Sequence, residues 1–264
     1  MSGLFLTLHQ CMVYRLRVNL LKKLKNMAQT IIHTADTRGA ADHGWLKSFH
    51  TFSFANYYNN ERIQFGALRV LNDDAVDGGK GFGEHPHDNM EIISIALEGA
   101  LQHEDSLGNV AVIEQGEIQV MSAGTGVYHK EFNKAGDTAV KFLQIWVFPN
   151  KRNVEPRYDQ QKFDLDAQLN KFVQILSPDP ADKGVWIYQD AWFNLGKFTK
   201  ETDVDYILNK KGNGVYVFVI NGEVQIQEQK LTVKDGLGIW DTDQFSIHAS
   251  PGAEVLLMEV PMSV

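Results

Sequence analysis

Residues 79–99 read G-K-G-F-G-E-H-P-H-D-N-M-E-I-I-S-I-A-L-E-G, and residues 116–132 read G-E-I-Q-V-M-S-A-G-T-G-V-Y-H-K-E-F. Both are short apolar runs bounded by glycine, and neither keeps the period of an amphipathic helix. The same grammar fills the chain outward from them. Runs rich in Val, Ile, Phe and Trp recur at 65–71, 91–97, 110–113, 118–121, 127–132 and 140–148, broken by Gly, Asn or Asp roughly every 8 to 12 residues. That spacing predicts an all-β chain folded as a sandwich or barrel, with a short helix expected only at 164–169. A second series follows at 215–220, 224–227, 239–241, 245–248 and 255–260, with Asn221-Gly222 as a tight hairpin turn. Between the two series, 149–166 is charged, carries Pro149 and Pro156, and reads as a connection.

In a strand, residues i and i+2 point to one face, so His85 and His87 present both imidazoles to the same point. His129 and Glu131 repeat that geometry about 40 residues later. If the two strands face each other, the four side chains make a site of three histidines and one carboxylate. Glu91 has the same strand parity as His87 and stands as the alternative carboxylate, either on the metal or orienting a histidine. Nitrogen and oxygen ligands of this kind suit one divalent transition metal, Fe(2+), Mn, Co, Ni, Cu or Zn. The lone cysteine, Cys11, excludes an internal disulfide and a thiolate-rich zinc site, and fits a reducing cytoplasm.

The 264 residues suffice for two domains, and 44% hydrophobic with 22% charged content is ordinary globular composition. A net charge of -8 argues against direct nucleic-acid binding, which rests on clustered Lys and Arg. The first 26 residues carry Arg15, Arg17, Lys22, Lys23 and Lys25 and no acid, with those cations inside or after the apolar residues. That order suits neither a signal peptide nor a membrane span. The reading is an upstream extension over 1–27 or a misassigned start, and a membrane-surface helix is the alternative. The expected division is 1–27 as extension, 28–150 as a metal-binding domain and 151–264 as a second domain.

Gly79, His85, His87 and Glu91 stand in the G-x5-H-x-H-x3-E spacing of the first cupin motif, and 116–129 is similar to the second. The departures, with the H-P-H-D-N-M-E-I run, G-x-G-V-Y-H-x-E-F and the S-F-H-T-F-S-F of 48–54, resemble the pirin family over most of 28–264. The resemblance implies two tandem cupin jelly-roll barrels, a bicupin, with iron held in the first by His85, His87, His129 and Glu131. It therefore favours Glu131 over Glu91 as ligand, and Glu131, or Glu91, could take the substrate's hydroxyl proton if it swings off the metal. Quercetin 2,3-dioxygenase activity is the first function it implies, with a small aromatic substrate and O2 as partners. A redox-sensing regulator that binds a transcription factor or metabolic enzyme is the second, and a non-redox isomerase or binding cupin the third. A monomer is expected.

Residues 95–131 can be laid against 218–250 as a duplication, setting Gly99 on Gly222, Gly116 on Gly236 and His129 on His248. By the first offset His85 and His87 fall on Leu208 and Lys210, while by the match of His129 to His248 Lys130 and Glu131 fall near Ala249 and Ser250, so a structural second barrel is expected. Among other candidates, His103 reads as part of a turn leading to Gly108-Asn109, with reach to the pocket mouth as the alternative, and His50 lies among Phe49, Phe52 and Phe54, which read as core or inter-domain packing rather than a substrate platform. Ser106 and Ser122 have no base partner. Gly78, Gly79, Gly81 and Gly83 read as a flexible lead-in to the metal strand.

Overall fold

The computed structural model describes residues 28–263, so the extension expected at 1–27 lies outside the described residues. Strand periodicity shows directly in burial: Leu46, Ser48 and His50 are buried while Lys47 and Phe49 are exposed, and Phe245, Ile247 and Ala249 are buried between exposed neighbours. Among the described residues the helical elements are short 3-10 turns at Ala35–Thr37 and Asp166–Gln168, the latter inside the expected 164–169.

The strands form two pairs of sheets. The first large sheet runs, edge to edge, Arg157–Lys162, Glu117–Ser122, Glu91–Glu98, Val140–Val147, Leu68–Val76, Leu46–His50 and Gly39–Asp42. Its partner is the four-stranded sheet Gly81–His87, Val127–Asn133, Ala100–Asp105 and Val110–Glu114. The second large sheet runs Gln29–His33, Gly236–Trp240, Asn213–Asn221, Glu254–Pro261, Trp192–Lys197, Phe172–Ser177 and Val185–Trp186. It is joined by Thr202–Ile207, Gln244–Ala249, Val224–Ile226 and Gln229–Leu231. The two pairs match almost strand for strand in spatial order, as a duplicated jelly-roll barrel requires, and Gly99 and Gly222 turn the equivalent hairpins at positive φ.

Two segments cross between the halves. Gln29–His33 pairs with Gly236–Trp240 of the second sheet, and Arg157–Lys162, inside the segment read as a connection, pairs with Glu117–Ser122 of the first. The largest apolar cluster lies between the halves, where Leu71, Ile93, Ile95, Leu143 and Ile145 meet Phe193, Phe218, Leu256 and Met258. It also takes in Phe52, so this part of the S-F-H-T-F-S-F run packs between the domains, whereas Phe49 is exposed.

The barrel interiors differ. In the second, Val215, Val217, Val219, Leu237, Val255 and Leu257 close a dry core. In the first, the strand positions that alternate with the interface residues carry Asn72, Asp74, Ser94, Gln119 and Gln144, all buried. Each unpaired buried polar group costs about 1–3 kcal/mol. Among the described residues, the buried side-chain polar atoms without a hydrogen-bond partner belong to residues 50–146, apart from His33 Nε2 on the strand that joins the second sheet. The first barrel therefore gives up packing stability for a polar interior.

Candidate metal centre

Gly81–His87 and Val127–Asn133 pair antiparallel, with His85 opposite His129 and His87 opposite Val127. Gly81 is part of this strand and lies against the Glu131 carbonyl and Phe132, so the glycine cluster is not simply a flexible lead-in. The imidazole centroids lie 4.4 Å apart for His85–His129, 4.8 Å for His87–His129 and 4.9 Å for His85–His87. One nitrogen from each of the three rings falls within 4.8 Å of the others.

His87 and His129 are prepared as neutral ligands. Burial, then the charges of His85, His87 and His103, push His129 down to about 2. Burial and His85 likewise bring His87 down to about 4, against the opposing pull of Asp88. His85 Nδ1 lies 2.8 Å from the Gly83 carbonyl, an acceptor only, so Nδ1 carries the proton and Nε2 the free lone pair. His129 Nε2 is buried without a hydrogen-bond partner. An orphaned imidazole nitrogen beside two converging imidazoles fits a divalent transition metal.

The strand bulges between His129 and Glu131. Glu131 is buried; Ser94 Oγ donates to Oε1 at 3.2 Å and Gln144 Nε2 donates to Oε2 at 2.8 Å. Burial raises its carboxyl to about 7, opposed by the Ser94 bond, reinforced by Asp74 and opposed again by Gln144. Glu131 groups within 4.8 Å with His103 and His129, so His129 belongs to both clusters. Glu91 belongs to neither. It accepts a 2.6 Å bond from Ser122 Oγ, and burial raises it to about 7 against that bond, the Arg157 charge and a backbone bond from Tyr188. Glu91 thus ties the first barrel to the segment that follows it.

His103 is not in a turn. It lies within the strand Ala100–Asp105, fully buried, with Nδ1 3.4 Å from His129 Nδ1. Its parity with buried Leu101 was the available signal, masked by the polar run Glu104-Asp105-Ser106. His50 also departs from simple core packing. It lines a cavity of about 240 Å³ with Phe54, Asn72, Phe82, Trp146 and Glu131, which His85 also borders. His50 Nε2 is 2.8 Å from Ser48 Oγ, which donates to Asp74, while His50 Nδ1 and Asn72 Oδ1 have no partner.

The equivalents assigned in the second barrel need correction. Leu208 and Lys210 lie beyond the strand Thr202–Ile207, whose inward residues are Val204 and Tyr206 of the apolar core, while Asp203 and Asp205 pair opposite His248 and Ser246 and are exposed with them. His248 is on the outer face, bonded to Asp203 and Glu201 at 2.8 Å, while Phe245 and Ile247 point inward. Among the described residues, no helix is long and apolar enough to cross a membrane.

A family model described as Pirin matches residues 32–147, and one described as Quercetinase C-terminal cupin domain matches 174–260. A quercetin 2,3-dioxygenase of Escherichia coli K12 is 43% identical over 231 residues, covering 87% of this chain and 98% of the relative. A pirin-like protein of Caulobacter vibrioides is 39% identical over 227 residues, covering 85% of this chain and 96% of the relative. The crystal structure of the bacterial pirin YhhW of Escherichia coli in complex with nickel(II) superposes with a TM-score of 0.84 at 40% identity, covering 89% of this chain and all of that one.

Proposed function

The chain belongs to the pirin family, and from that premise we propose that it is a metal-dependent dioxygenase that cleaves a flavonol ring with O2, using Fe(II) held by His85, His87, His129 and Glu131. The observation that carries this reading is the meeting of three converging imidazoles with an aromatic-walled cavity that shares His85 and Glu131. The bound metal would supply Lewis acidity and a path for electrons between substrate and O2.

The protein's own part is binding, orientation and proton handling. Phe54, Phe82 and Trp146 offer aromatic faces to a planar ring, while His50 Nδ1 and Asn72 Oδ1 offer polar atoms to its hydroxyls. The cavity's roughly 240 Å³ is below the roughly 300–1,000 Å³ of sites for drug-sized ligands. One aromatic unit fits inside, and His85 and Trp146 also border an open cleft with Met90 and Tyr128 that would take the second. Glu131, fixed by Ser94 and Gln144, is the carboxylate suited to receive the flavonol hydroxyl proton on a side-chain oxygen.

The test is anaerobic loading with each first-row metal, then quercetin, then air, followed by flavonol absorbance. Loss of flavonol with at least Fe(II), abolished in His129→Ala, is expected. No loss with any metal, beside an active control, refutes the assignment.

A further inference from the structure

The His103–Asp105 pair lies outside the four residues assigned to the metal, yet it is built against one of them. His103 Nδ1 is 3.4 Å from His129 Nδ1, and His103 Nε2 is 3.2 Å from Asp105 Oδ2. Asp105 is itself fixed: the Leu107 and Asn109 backbone N–H groups donate to Oδ1, each at 3.0 Å, and Asn109 Nδ2 donates to Oδ2 at 2.8 Å. The His103 ring packs on Tyr158 with centroids 4.9 Å apart, and the His103 and Asp105 side chains are both fully buried. The two segments are held in register, with His129 opposite Asp105 and Glu131 opposite His103.

Proton placement along this chain has one consistent solution. An anionic carboxylate accepts only, so His103 must donate to it from Nε2. As a neutral ring, His103 then has a bare Nδ1, which accepts from His129 Nδ1–H. His129 is left with its lone pair on Nε2, the atom without a partner beside His85 and His87. The opposite assignment strands an N–H at His129 Nε2 and sets a bare His103 nitrogen against a carboxylate. Both are costly when buried.

We propose that His103 and Asp105 are positioning residues that lock His129 in the tautomer and orientation that present Nε2 to the metal. The proposal rests on the reading of His129 as a metal ligand. A partner of this kind also raises the basicity of the ligand it holds, and its loss costs about 10–100-fold in metal affinity.

The test uses the full chain with zinc(II) as probe, competed against a chromophoric chelator, beside 15N spectra of the imidazoles in the zinc form. His103→Leu is expected to lower zinc affinity by about 10–100-fold. His103→Gln, whose amide can accept from His129 and donate to Asp105, is expected to recover most of that loss. A side chain that merely fills space would not separate Leu from Gln in this way. The wild-type spectrum should show His129 protonated at Nδ1 and metal-bound at Nε2. Wild-type affinity in His103→Leu, equal losses in folded Leu and Gln variants, or His129 bound through Nδ1 would each overturn the proposal. If His103→Leu does not fold, Asp105→Asn carries the test: a loss of affinity is expected, and unchanged affinity overturns it. Zinc retained at wild-type affinity by His129→Ala would instead defeat the metal-centre reading, a result distinct from a His103 variant that behaves as wild type.

Discussion

Two glycines two residues apart on the metal strand should behave oppositely when replaced by alanine. A Cβ at Gly81 would meet the carbonyl oxygen of Glu131 and the Cα and Cβ of Phe132, closer than real Cβ atoms approach. A Cβ at Gly83 would meet nothing within 4 Å. The obstruction at Gly81 is mostly backbone of the strand that carries His129, so relief requires the two strands to separate, and overpacking of this kind costs about 1–3 kcal/mol. Alanine also restricts the unfolded chain, which returns about 0.4–1 kcal/mol at either site. The net expectation is a loss of about 0.5–2.5 kcal/mol for Gly81→Ala and a neutral or slightly positive change for Gly83→Ala. Separating the strands also pulls His85 and His87 from His129, so zinc affinity should fall in Gly81→Ala alone. Urea unfolding of the metal-free protein reads the first quantity and chelator competition the second. Gly81→Ala with wild-type stability and affinity, or equal damage from both substitutions, would refute the strand-contact argument.

Glu131→Gln keeps a side chain that Ser94 can still bond but removes the proton acceptor, and flavonol turnover should fall by about 10²–10⁴-fold, read in steady-state assays at saturating metal. Asp74 is raised from 3.8 to about 7, chiefly by burial, so the folded state holds its proton more tightly than the unfolded state does. Its contribution to stability is therefore full below about pH 4 and is lost as pH rises through 7, and Asp74→Asn should flatten that slope in denaturation of the metal-free protein at pH 5 and pH 8. Leu257→Ala in the second barrel should cost about 2–5 kcal/mol, while zinc stoichiometry per folded molecule stays at the wild-type value. His248→Ala should change neither, because that ring is on the outer face.

The histidine cluster was legible because strands have a period of two: the spacing of His85 to His87, set against His129 across a glycine-rich interval, leaves little freedom once the fold is β. The duplication was legible for the same reason, through Gly99 and Gly222 at matching hairpins. What was hidden depended on partners far along the chain. The sequence Arg157-Tyr-Asp-Gln-Gln-Lys162 has no apolar alternation, since it is an edge strand held by its ladder to Glu117–Ser122. His103 was hidden by the polar residues after it, and only the register of Ala100–Asp105 against Val127–Asn133 brings it to His129. The alignment to Leu208 and Lys210 failed because a fixed offset does not see where a strand ends: Thr202–Ile207 stops before both, and its inward residues are Val204 and Tyr206. Glu91 matches His87 in parity only if one strand runs through both, but the strand ends at His87, and on Glu91–Glu98 Glu91 shares the face of Ile93 and Ile95, away from Ser94 and Glu131.

The account depends on His85, His87 and His129, with Glu131, meeting at one metal ion. Anomalous scattering at the iron edge, from crystals grown anaerobically with Fe(II), tests this most directly. The expected result is a single strong peak in the first barrel, within bonding distance of Nε2 of His85, His87 and His129 and of a Glu131 oxygen. A peak held by other residues, or none in crystals of iron-loaded protein, would contradict it.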